Sequence, residues 1–242
     1  MIKFFRQIRQ KLILENQTTK YLKYAIGEIF LVVIGILLAL QINTWNETRK
    51  LNNKESIYLK GLKADFEQSK TALARVIKKT DRVAKMVDTL GAMIKKNGNA
   101  LTLLQIDSLT SGSTGFTVFM PSEGVINDII GSGKLDMVSN NALRKKIASW
   151  EADLRMIREY ENLGKELSEK YSDHTSPYFD MLNAKFMKPA FLDHKRAEFL
   201  SDIIMTNYMA QIFGNSMMLN ELYKEKSGAI DSLITLIDHE LQ

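Results

Sequence analysis

Three patterns of apolar residues follow one another along the chain, and the first has no period. From Ile29 to Leu40 twelve residues pass without a polar side chain, and between Tyr24 and Thr44 only Glu28, Gln41, Asn43 and Thr44 are polar. A segment apolar on every side has no face to turn to water. Its length suits a spanning helix, which needs about 20 residues at about 1.5 Å each. Tyr21 and Tyr24 stand at one end and Trp45 at the other. Tyr24 and Trp45 are separated by ~31 Å along a helix, so the three aromatics read as interfacial anchors. A cleaved signal peptide would need a basic leader of more than twenty residues, and no small-x-small site follows Leu40. The pattern predicts one transmembrane helix over residues 21–45.

The second pattern is periodic. Positions 59, 66, 73, 80, 87 and 94 alternate with 62, 69, 76, 83 and 90 at spacings of three and four, and only Ser69 and Thr80 break the apolar stripe. Such spacing predicts a long bundle helix with one buried face. Asn97-Gly98-Asn99 ends it.

The third pattern is interrupted. Residues 102–122 look least regular, with Thr114–Met120 as a short strand or an extended loop. Ser122 is a candidate cap for a short helix that Gly131-Ser-Gly133 stops. Asn140 or Asn141 caps a second long helix, on which Leu143, Ile147, Trp150, Leu154 and Ile157 recur. A last helix starts near Leu192-Asp193. Phe199, Ile203, Tyr208, Ile212 and Met217 line one side of it, and Gly214 and Gly228 are candidate kinks. The fold class expected is all-α: a single N-terminal transmembrane helix followed by an elongated helical bundle with three long helices.

Charge places the segments. Residues 1–47 carry six basic and three acidic side chains, so +3 of the net +5 lies there. The stretch 1–20 reads as a cytoplasmic basic amphipathic segment whose Lys3, Arg6, Arg9 and Lys11 contact anionic lipid headgroups. The near-neutral remainder argues against nucleic acid as a partner. Bases flank both ends of the apolar run, so the positive-inside bias is slight. The basic leader is placed in the cytoplasm, and residues 46–242 form an extracytoplasmic, periplasmic domain of an inner-membrane protein.

Glu28 is the one carboxylate in the apolar run. It lies one turn inside Tyr24 and can reach back to the interface to meet Lys20, Lys23 or Lys3. Alternatively it takes part in helix association. Glu28, Val32, Gly35 and Ala39 share one helix face, and Gly35-x-x-x-Ala39 is a small-xxx-small pair that lets another helix approach. An apolar helix entered through a glutamate also resembles the start of type IV pilins, although Lys23 stands where that family's processing needs glycine.

Chemistry is sparse. There is no cysteine, P-loop, G-x-G-x-x-G, G-x-S-x-G or H-E-x-x-H. His174, His194 and His239 have no second histidine at i+3 or i+4 and read as solvated surface residues. Met205, Met209, Met217 and Met218 read as core filler, or as a pliable binding surface. No catalytic, metal or cofactor-binding residue and no cofactor is expected.

Tyr24, Gly27, Glu28, Gln41, Asn43, Trp45, Asn46, Glu47, Arg49 and Lys50 form the pattern YxxGE…LALQINxWNExRK, and residues 129–144 read IIGSGKLDMVSNNALR. Both resemble motifs of a family of Gram-negative bacterial single-pass membrane proteins of unknown function. The resemblance implies one spanning helix and an α-helical domain, and no activity. The function expected is that of a non-catalytic membrane-anchored scaffold or adaptor, partnered with membrane lipid and with itself or another envelope membrane protein. Alternatives are a ligand-sensing periplasmic module that signals through a partner membrane protein, and a pilin-like assembly subunit.

Overall fold

A computed structural model describes the backbone from Thr18 to Gln242, with the side chains of Leu22, Lys23 and all residues from Ala25 on. The chain divides into two compact units, with the boundary between Ser56 and Ile57. The described residues are helical with no strand; Phe179 and Phe191 form an isolated antiparallel bridge.

The first helix, α1, runs from Thr18 to Asn97 without a break. In the first unit it is apolar and uncovered; Ile29 is 65% and Phe30 66% exposed. It is the one helix among the described residues that is long and apolar enough to cross a membrane.

In the second unit the stripe on α1 meets the other helices. After α1 come α2 (Leu103–Ser113), a strap without helix over residues 115–123, α3 (Gly124–Gly131), α4 (Asn141–Ala148) and α5 (Trp150–Thr175). Then follow α6 (Met181–Lys185), α7 (Arg196–Ser201) and α8 (Ile203–Glu240). One core joins Leu59, Leu62, Phe66 and Leu73 to Trp150, Leu154 and Tyr223. Phe66 packs on Trp150 with ring centroids 5.3 Å apart. The other joins Val83, Val87 and Leu90 to Tyr171, Phe199 and Met205. Burying each such side chain favours folding by about 1.5–3 kcal/mol.

The structure corrects several expectations. Residues 103–113 are helix α2, started by a capping box between Thr102 and Gln105. Ser122 does not cap α3; Asp65 on α1 does so instead, its Oδ2 accepting from Val125 N at 2.8 Å. The last long helix begins at Ile203, not near Leu192, because Asp202 ends α7 in an extended conformation and caps α8 through Met205 N at 2.9 Å. Ile203 and Met217 therefore face outward, and α8 continues past Gly214 and Gly228. Asn140 does cap the helix it precedes, accepting from Leu143 N at 3.0 Å. That helix ends at Ala148, however, and α5 restarts at Trp150.

Candidate functional site

On the N-terminal stretch of α1, Val32, Gly35 and Ala39 are exposed and Glu28 is partly so. A Cβ built on Gly35 meets nothing within 4 Å, so no described residue requires a glycine there. Trp45 is exposed, with the Arg49 guanidinium 5.8 Å from its ring centroid. The backbones of Tyr21 and Tyr24 lie within the helix, while their side chains, and Lys3, Arg6, Arg9 and Lys11 altogether, fall outside the described residues.

In the second unit, the two polar interruptions of the heptad stripe fasten the strap. Ser69 Oγ accepts from Ser122 N at 2.8 Å, and Thr80 Oγ1 lies 3.2 Å from Thr117 Oγ1. Gly115 passes so close that a Cβ there would come within 3.2 Å of Val83 Cγ2. From the other side the buried Glu161 accepts from Phe119 N at 2.6 Å and from Tyr223 OH at 2.8 Å. Arg158 donates to Phe119 O at 2.6 Å. Burial raises the Tyr223 pKa, and the Glu161 carboxylate beside it adds to the shift. An extended backbone has no internal partners, so these side chains are what lets it lie in a helical core.

Residues 180–190 form a lobe closed at its base by Asp180 N donating to Ala190 O and Leu192 N to Tyr178 O. Asp107 on α2 secures the base, its two oxygens accepting from Ala190 N and Phe191 N at 2.8 Å each. The lobe exposes Met181, Leu182, Phe186 and Met187, the last 94% exposed and at φ 58°. Beneath it, between α2 and the end of α5, lies a cleft of about 260 Å³. Asp107, Thr110, Ser111 and Thr114 line one side, Ser172, Thr175 and Ser176 another, and Phe179, Met181 and Ala184 the lobe side.

His174 is not a freely solvated residue. Its Nε2 lies 2.7 Å from Asp202 Oδ2, which also accepts from Tyr178 OH at 2.6 Å. Burial works to raise the Asp202 pKa, but the Met205 N–H, Tyr178 and His174 outweigh it and hold the carboxyl below its ordinary value. Burial, then the Asp202 carboxylate, pushes Tyr178 up to about 12. The methionines divide: Met205 and Met209 are core, whereas Met217 and Met218 are exposed. Lys226, also buried, sits over the Trp150 ring at 3.8 Å, and burial lowers its pKa.

The sequence reading missed the residues lining the cleft. A signal existed, because Asp107, Thr110, Ser111 and Thr114 recur at spacings that share one helix face. That face exists only once residues 103–113 are helical, which their irregular apolar pattern does not announce. The model of a family of unknown function, DUF6090, matches residues 28–215, more than half of the chain. The chain belongs to this family. The DUF6090 match begins at Glu28, so it takes in the apolar run, the strap, α5 and the cleft. No curated protein and no solved structure matches.

Proposed function

We propose that this DUF6090 protein is a membrane-anchored scaffold or adaptor without catalytic activity of its own. Its N-terminal helix holds it in the inner membrane of a Gram-negative bacterium and associates with a second copy or another envelope protein. The observation that carries this reading is the long, uncovered apolar stretch of α1, whose face at Val32, Gly35 and Ala39 is open. So much exposed apolar surface is unfavourable in water and favourable in lipid. The small residues at 35 and 39 let a partner backbone come near. The leader lies on the cytoplasmic leaflet and residues 46–242 lie in the periplasm.

Two experiments test this. Alkaline phosphatase fused after Gln242 should be active, and activity of a cytoplasmic reporter at that site would reverse the orientation. In native membranes, Gly35→Leu should abolish crosslinking through α1 by steric exclusion. Glu28→Gln should weaken it only modestly, because polar contacts between membrane helices contribute about 0.6–2 kcal/mol each. Unchanged crosslinking in both variants would reduce Glu28 to an interfacial anchor and remove the association.

A second reading, a ligand-sensing module that acts through a partner membrane protein, is favoured by one feature, the cleft beneath the lobe.

A further inference from the structure

Four of the six hydroxyls that line the cleft share a bonding habit. Ser111 Oγ donates to Asp107 O at 2.7 Å and Thr114 Oγ1 to Ser111 O at 2.7 Å. Across the cleft, Thr175 Oγ1 donates to Tyr171 O and Ser176 Oγ to Asp173 O, both at 2.8 Å. A hydroxyl has one hydrogen and two lone pairs. With the hydrogen committed to a main-chain carbonyl, each of these oxygens can offer a ligand only lone pairs.

Asp107 adds charge. Among the described residues it is the one ionisable side chain lining the cleft. Its hydrogen bonds come from two neutral amides, so its negative charge is not cancelled there. Thr110, also on this side of the cleft, is buried with its hydroxyl turned to that of Tyr171. Phe179, Met181 and Ala184 supply an apolar wall opposite these groups.

The geometry points to a binding site for a small organic cation, an amine with a compact apolar body. Its ammonium hydrogens are donated to the hydroxyl oxygens near Asp107, and its hydrocarbon lies against Phe179 and Met181. A carboxylate or phosphate would meet lone pairs and a negative charge. At about 260 Å³ the cleft lies just below the usual ~300–1,000 Å³ of small-molecule sites, which suits a single-ring amine. The inference supplies the ligand chemistry for the sensing reading. It concerns binding alone, so its failure would leave the membrane anchor and its crosslinking test untouched.

Calorimetry on the full chain in lipid nanodiscs provides the test. The probes are benzylamine, with benzyl alcohol as the uncharged control and benzoate as the charge-reversed one. Benzylamine should bind saturably, one per chain, and at least about tenfold more tightly than benzyl alcohol, as expected of a charge-assisted contact. Benzoate should not bind. Ala184 is exposed, so Ala184→Phe should keep the melting curve while filling the cleft, and benzylamine binding should be lost. Asp107→Asn should bring the affinity for benzylamine down towards that for benzyl alcohol; if that variant fails to fold, Ala184→Phe still decides. Absence of saturable benzylamine binding, equal binding of benzoate, or binding that survives Ala184→Phe would each overturn the inference.

Discussion

Helix α1 contains two stretches made from the same apolar residue types in different arrangements. Between Ile29 and Ile42 apolar side chains point in every direction and none is buried. Between Leu59 and Leu90 they keep to one stripe, and Leu59 and Leu62 are 2% and 0% exposed. Composition alone does not separate the two; period does. A stripe records a partner on one side, which here is supplied by α5 and α8 of the same chain. Apolar residues all round have no such partner among the described residues. The polar residues also differ in meaning. Ser69 and Thr80 are buried and bonded within the domain, so they belong to its packing as fully as the leucines do.

The largest effect expected separates the stretches directly. Phe66→Ala should lower the stability of the Ile57–Gln242 unit by about 3–5 kcal/mol, seen as an earlier denaturant midpoint. Phe30→Ala should leave that midpoint in place. Equal shifts would mean that the two stretches are not independent. A smaller effect tests the polar positions. Ser69→Ala makes the stripe more apolar, yet it should destabilise the unit by about 0.5–1.5 kcal/mol because the half-buried Ser122 N–H loses its acceptor. A neutral result would mean that the strap is not held by α1.

The smallest effect is electrostatic and belongs to the domain alone. The Asp202 carboxyl is held below its ordinary value, so its contribution is present above the unfolded pKa of about 4 and fades as pH falls through the folded one. The stability difference between the native chain and Asp202→Asn should stay level from about pH 7 to 5 and shrink below about pH 4. A gap that widened in acid would contradict the arrangement of Tyr178 and His174 around that carboxylate.

The sequence disclosed most where residues repeat. The stripe from Leu59 to Leu90 was legible with its two polar exceptions, and so was the end of α1 at Asn97. The run from Leu143 to Ile157 was legible too, because a helix that buries one face must repeat its apolar residues. What Ser69 and Thr80 do was not legible, since their partners lie 53 and 37 residues away. The same holds for Asp65, which caps a helix begun 59 residues later by Gly124, where local sequence suggested Ser122. His174 looked solvated because Asp202 is 28 residues off. The cleft was half-legible. Thr102 and Gln105 announce α2, and its polar face follows once that helix is recognised. The lobe that closes over it depends on Asp107 reaching Ala190 and Phe191.

The strap behaves like the sliding scale of a vernier. Its two fixings on α1, Ser69 and Thr80, are eleven residues apart, ~16.5 Å at the helical rise of ~1.5 Å. Their partners Ser122 and Thr117 are five residues apart, ~16.5 Å at the ~3.3 Å of extended chain. Two scales of different pitch coincide at both marks. Between the marks, Val118 and Met120 are exposed and their identities are free to drift. The count of residues is not free. One residue added or removed there would move the strap by ~3.3 Å against a helix that cannot stretch to follow. Evolution can therefore rewrite Val118 and Met120, though not the buried Phe119 between them, and it cannot change the length of the word.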